Sequence, residues 1–242
     1  MMSPSGRRTA GVQSAREGRL TARPTEPSVV GPPGRRRIGI GRGRDGLVYV
    51  PSSYHPKSPA PLMVLLHGAG ADAEDILPVL EGHADAAGFL LLAPDSRDVT
   101  WDAVRGPYGT DVAFLDRALA DAFAHYAVDP GRVAVSGFSD GASYALSLGI
   151  TNGDLFGHVI AFSPGFMVPA AQRGTPRLFI SHGTQDRVLP IDVCSRRIVP
   201  PLERAGYDLR YREFEGGHAV PAPIAGEAVA WFEQRPRERG AT

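Results

Sequence analysis

The stretch Arg132-Val133-Ala134-Val135-Ser136-Gly137-Phe138-Ser139-Asp140-Gly141-Ala142 decides how this chain is read. Arg132–Ser136 is a short, mainly apolar run of the kind that forms a strand covered on both faces. The segment after Gly141 has helical character, so Ser139 stands on a strand–turn–helix junction. Glycines at 137 and 141 permit a cramped turn that exposes the Ser139 hydroxyl above the sheet. The next backbone N–H, that of Asp140, can then face negative charge developing on a substrate oxygen. The plainer alternative is a packing turn with an unreactive serine.

Two further segments favour the reactive reading, and they follow in a fixed order. Phe179-Ile180-Ser181-His182-Gly183-Thr184-Gln185-Asp186 carries a strand into a loop that ends on an acid. Glu215-Gly216-Gly217-His218 places a histidine in a late loop before the final helix. Nucleophile, acid and histidine in that order suit neighbouring parallel strands, whose C-terminal ends bring such groups together. Ser139 is therefore the candidate nucleophile, His218 the base and Asp186 the acid that orients it. Asp192 competes less well, because it falls where it can cap the next helix. His182 precedes the acid and suits packing or local hydrogen bonding, and His125 lies late in a helical segment. A second oxyanion donor is expected in Leu65-Leu66-His67-Gly68-Ala69-Gly70, with the N–H of Ala69 preferred and Gly70 next. His67 buttresses that loop in this reading.

Outward from the elbow, apolar strands alternate with helical stretches. Strands are expected at Arg37–Ile40, Leu47–Val50, Leu62–Leu66, Phe89–Ala93, Arg132–Ser136, His158–Phe162 and Arg177–Ser181, with the more polar Leu209–Phe214 nearer an edge. Helices are expected at Ala73–Ala87, Asp111–Tyr126, Gly141–Leu148, Ile191–Ala205 and Ile224–Glu233. In the second, Val112, Leu115, Leu119 and Phe123 recur at helical spacing. The pattern predicts an α/β fold with a mainly parallel central sheet and helices on both faces. A flexible or disordered leader over 1–35, one domain over 36–235 and a polar tail over 236–242 are expected.

Charge is unevenly distributed along the 242 residues, although the net is zero. Residues 1–44 carry ten arginines against Glu17 and Glu26, which leaves the remainder net acidic. A general nucleic-acid surface on the folded part is therefore excluded. Cys194 is the single cysteine, which rules out an intrachain disulfide and disfavours a cysteine metal site. Gly39-Ile40-Gly41-Arg42-Gly43 lacks both the P-loop and the dinucleotide pattern. No cofactor and no metal are called for, no apolar run is long enough to span a bilayer, and a cytoplasmic location is expected.

Taken together, Leu66-His67-Gly68-Ala69-Gly70, the elbow, His182-Gly183-Thr184-Gln185-Asp186 and Gly217-His218 resemble the carboxylesterase/phospholipase branch of the α/β-hydrolase superfamily. The resemblance covers Leu47 to Glu233 and implies a serine esterase with Ser139, Asp186 and His218 as its triad. Asp140 and Ala142 depart from the Gln and Gly usual there, which argues against a specific phospholipase or thioesterase label. No insertion is long enough for a large lid, so the substrate expected is a small or medium acyl ester. Phe138, Phe166, Met167 and Trp101 are the candidate pocket residues, with Pro94-Asp95-Ser96-Arg97 on the opposite rim. A homodimer is compatible with this reading. A non-catalytic binding homologue and a peptidase or amidase are the alternatives.

Overall fold

In the computed structural model, which describes residues 11–234, eight strands form one sheet. They are β1 (Gly34–Arg37), β2 (Gly46–Val50), β3 (Ala60–Leu66), β4 (Leu90–Pro94), β5 (Val128–Phe138), β6 (His158–Phe162), β7 (Arg177–Gly183) and β8 (Leu209–Phe214). Their order is β1-β2-β4-β3-β5-β6-β7-β8. β2 runs antiparallel to both β1 and β4, and every pairing from β4 onward is parallel. The expected α/β class holds, and Leu209–Phe214 lies at the sheet edge.

The period-two geometry of a strand divides the central residues between two cores. Leu62, Val64, Leu66, Val133 and Val135 face one cluster, while Met63, Leu65 and Ala134 face the other. The helices that cover these faces are α2 (Ala73–Ile76), α3 (Glu81–Ala87), α4 (Asp102–Arg105), α5 (Thr110–His125), α6 (Asp140–Thr151), α7 (Ser195–Arg204) and α8 (Ala222–Glu233). A short helix over 11–16, α1, precedes them. The apolar stripe expected on α5 is buried at Val112, Leu115, Leu119 and Phe123.

Several expected bounds are corrected. The single helix over Ala73–Ala87 is instead α2, a 3-10 turn at Leu77–Val79, and α3. Pro78 explains the break, because it has no N–H to donate to the preceding turn. The strand expected at Arg37–Ile40 is shifted back to Gly34–Arg37. The amides of Gly39, Ile40 and Gly41 instead converge on the buried Asp45 carboxylate at 2.7, 3.2 and 2.8 Å.

The described part of the leader packs on the domain, and β1 begins before residue 36. Leu20 is fully buried. Its N–H and the carbonyl of Gly18 both bond the Asn152 amide, at 2.9 and 2.8 Å. Arg19 and Arg23 bind Asp154, and Asp116 accepts the N–H groups of Thr21 and Ala22. Unmatched arginines thus meet carboxylates on the acidic part of the chain. Residues 1–10 of the leader and the tail over 236–242 lie outside the described residues. No described helix is long and apolar enough to cross a membrane.

Candidate active site

Backbone geometry at the elbow follows from its two glycines. Ser139 has φ 59°, in the left-handed region that costs a side chain strain and recurs at functional sites. A Cβ at Gly137 would run into the Gly141 carbonyl, and one at Gly141 into the carbonyl oxygens of Leu66 and His67. Glycine at both positions lets α6 start directly against the end of β3. The Ser139 N–H is held by the Phe162 carbonyl at 3.0 Å.

His218 lies between the other two groups. Its Nε2 is 2.8 Å from Ser139 Oγ, and its Nδ1 is 2.6 Å from Asp186 Oδ2. Burial alone would raise the Asp186 pKa. The N–H of Leu189 and the imidazole of His218 outweigh it and hold the carboxyl below its ordinary range. Asp186 Oδ1 accepts the N–H groups of Val188 and Leu189 at 2.9 and 2.8 Å. Both carboxylate oxygens are therefore fixed, and so is the direction of His218. Asp192 is elsewhere: it pairs with Arg196 at 2.7 Å and does not cap α7, whose N-cap is Cys194.

The loop after β3 faces the elbow, for a Cβ on Gly68 would stand 3.4 Å from that of Ser139. Among the described residues, neither the N–H of Ala69 nor that of Asp140 makes a hydrogen bond. Asp140 opens α6, where the first N–H groups lack partners within the helix. Gly70 is corrected as a donor, because its N–H is taken by the Val99 carbonyl at 2.8 Å. His67 is buried and accepts the Ser96 N–H on Nε2 at 2.9 Å. The proton must then sit on Nδ1, which donates to the Gly68 carbonyl at 2.7 Å. Burial lowers the His67 pKa and keeps this ring neutral.

A cleft of about 460 Å³ opens beside Ser139 and His218. Its apolar wall is Ile76, Val79, Phe138, Val188 and Val220. Phe138 is the one expected pocket residue on this wall, and its ring also lies 4.7 Å from the His218 ring. Trp101 is corrected: it is fully buried, its indole N–H donates to the His67 carbonyl at 2.9 Å, and it stacks on Tyr144. Phe166 and Met167 do not line the cleft either. Ser143, Ser147 and Thr151, one turn apart on α6, accept the N–H groups of Gly165, Val168 and Ala170 at 2.9, 2.9 and 3.1 Å. These hydroxyls pin the loop along α6, and Met167 packs against the core. Arg97 also turns away from a substrate role, donating to the carbonyls of Arg44 and Asp95 over the Phe114 ring.

Sequence reading missed the real wall. Ile76 and Val79 are one helical turn apart just beyond the loop after β3. Val188 and Val220 each stand two residues after a member of the Ser139–His218–Asp186 set, a regularity that points at the cleft. Thr100 was missed too; its hydroxyl donates to the Asp140 carboxylate at 2.7 Å and ties the elbow to the loop after β4.

The family model named Esterase matches residues 108–171, which span α5, β5, the elbow and β6. The bifunctional acetylxylan esterase/xylanase XynS20E of Neocallimastix patriciarum is 32% identical over 158 residues, 62% of this chain and 22% of that protein. Feruloyl esterase C of Emericella nidulans is 27% identical over 158 residues, 62% of this chain and 57% of its own. The chain thus spans less than two thirds of these relatives' length. Among solved structures, esterase PE8 is 26% identical with a TM-score of 0.61, covering 76% of this chain and 97% of PE8. The chain shares the α/β-hydrolase fold of these esterases and is similar to them in sequence around the elbow.

Proposed function

We propose that this protein is a serine carboxylic-ester hydrolase for small to medium acyl esters. The observation that carries the proposal is His218 bridging Ser139 Oγ and Asp186 Oδ2 at hydrogen-bond distance on both sides. His218 Nε2 takes the Ser139 proton as Oγ forms a bond to the ester carbonyl carbon. The N–H groups of Ala69 and Asp140 stabilise the resulting oxyanion. Collapse breaks the bond to the alcohol oxygen, which leaves with the proton from His218, and an acyl-Ser139 ester remains. Water then gives a proton to His218 and its oxygen to the acyl carbon, releasing the acid and restoring Ser139. Asp186 keeps the Nδ1–H tautomer in place and offsets the imidazolium charge in both halves.

Ile76, Val79, Val188 and Val220 give the acyl group an apolar wall, and the open cleft suits a short chain or a single ring. Relatives named feruloyl and acetylxylan esterases support an ester over an amide. The proposal carries a cytoplasmic enzyme that works as a monomer or a homodimer. An organophosphorus probe is expected to add once, on Ser139, and hydrolysis is expected on a graded series of acyl esters but not on matched amides. An adduct mapped only to another serine, or folded protein that turns over none of the esters, overturns the reading.

A further inference from the structure

The acid of the site serves two histidines. His182, at the end of β7, is fully buried, and its Nε2 lies 3.2 Å from Asp186 Oδ2, the same oxygen that faces His218. Nε2 is also 2.8 Å from the Leu189 carbonyl. Both neighbours can only accept, so Nε2 must carry a proton. On the far side, Nδ1 is 2.7 Å from the hydroxyl of Ser195, which is itself buried at the start of α7. With the ring neutral, Ser195 donates to Nδ1. The result is a chain of five groups, Ser139–His218–Asp186–His182–Ser195, with the carboxylate at its centre.

We infer that His182, held in one tautomer by Ser195, is a positioning residue that draws on the Asp186 charge and so limits how strongly the acid acts on His218. The inference rests on the proposed triad. A hydrogen bond donated to a carboxylate stabilises its charged form and lowers its affinity for a further proton. Oδ1 already receives two amide N–H groups, and the His182 N–H, directed at the Leu189 carbonyl, stands close enough to Oδ2 to act on its charge. The proton taken from Ser139 then stays on His218, available to the leaving alcohol, instead of drifting toward the acid. Burial favours the neutral ring here by lowering the His182 pKa.

The charged and titratable groups around His182 are few. Asp186 and His218 face it across the loops. Glu213 on β8 stands in register with it, but its carboxylate is held by both ends of the Arg196 guanidinium, at 2.8 and 2.6 Å. The Cys194 thiol nearby feels both the Asp186 carboxylate and the Arg197 guanidinium. Only Asp186 and His218 lie on the path to Ser139.

The test is the pH dependence of kcat/KM, read beside the downfield Nδ1 proton resonance of His218. His182→Asn can reach Ser195 but not Asp186, whereas the amide nitrogen of His182→Gln falls near the lost Nε2. Without this N–H beside Oδ2, the midpoint of the acidic limb is expected to rise by roughly half a unit, and the resonance to move with it. His182→Gln is expected to restore both toward wild type. Ser195→Ala, a small deletion suited to retaining the fold, is expected to give a smaller shift in the same direction. An unmoved limb and resonance in folded His182→Asn, or in Ser195→Ala should the first not fold, overturn the inference. If Asp186→Asn also leaves the resonance and turnover intact, the triad reading itself fails, and the two failures are thereby separated.

Discussion

At the scale of single residues, the assignment of the acid is the point on which the proposed chemistry is most exposed. Two aspartates follow β7, and the distinction between them is geometric. Asp186 is buried with both oxygens engaged, whereas Asp192 is exposed and paired with Arg196. Replacing Asp186 by Asn retains the shape but removes the charge that fixes and stabilises His218. Its amide NH2 also puts a donor opposite N–H groups that faced the carboxylate, those of Val188 and Leu189 in the Oδ1 place or that of His182 in the Oδ2 place. Turnover is expected to fall by several powers of ten, on the scale of the roughly 10⁴-fold loss known for the corresponding change in a serine protease. Some hydrolysis should persist, because the Ala69 and Asp140 donors are untouched. Asp192→Asn removes one exposed ion pair and should change turnover little. Measuring kcat of both folded variants on one reactive short-chain ester decides the matter: near-normal turnover in Asp186→Asn means another group orients His218.

At the scale of elements, the loop after β3, the proposed oxyanion loop, is positioned by the loop after β4. Trp101 donates to the carbonyl of His67 and stacks on Tyr144 with ring centroids 5.1 Å apart, while Thr100 holds Asp140. Trp101→Phe keeps an aromatic ring but deletes the donor. Losing one such bond costs about 1 kcal/mol, so kcat should drop several-fold, by the same factor for every acyl chain length. A wall residue such as Val188 should instead alter chain-length preference when enlarged. If Trp101→Phe changes the preference and leaves kcat on the best substrate intact, Trp101 belongs to the pocket after all. These elements also show what could be read from the chain. The elbow, the acid loop and the histidine loop were legible because each carries its chemistry in consecutive residues next to a strand end. The cleft wall was not, because Ile76, Val79, Val188 and Val220 come from three separate segments whose approach depends on sheet order. Phe166 and Met167 look like pocket residues by their apolar character. Three hydroxyls on α6 decide otherwise, and serine or threonine at four-residue spacing within a helix gives little hint of a loop docked alongside.

At the scale of the whole molecule, composition misled at the N-terminus and missed a source of pH sensitivity in the interior. Arginine, proline and glycine suggested a loose leader, yet Leu20 and the Asp116, Asn152 and Asp154 side chains bind its described part to α5 and the end of α6. Hydrophobic patterning registers one buried leucine weakly, and it cannot register carboxylates waiting for arginines about 130 residues away. The interior case is His158, which begins β6 and is almost fully buried. Neither of its ring nitrogens has a hydrogen-bond partner among the described residues, and Trp231 and Phe232 of α8 meet it edge-on, with centroids 5.4 and 5.2 Å away. Burial pushes its pKa down from 6.5 to about 4. Between those values the unfolded chain takes up a proton that the folded protein refuses, so stability rises with pH across the window. The contribution is fully present above pH 6.5 and is lost as pH falls toward 4, amounting to about 3 kcal/mol. Asp111, raised to about 6 by burial, slopes the opposite way over part of the same range. The useful quantity is therefore a difference, in which Asp111 cancels. His158→Phe keeps an aromatic ring against α8 and has no proton to gain. Urea unfolding at intervals from pH 7 to pH 4 should show the variant gaining about 3 kcal/mol relative to wild type as the solution is acidified. A difference that stays flat across that range would mean that His158 finds a partner or solvent in the folded protein, and that its burial does not govern the acid side of stability.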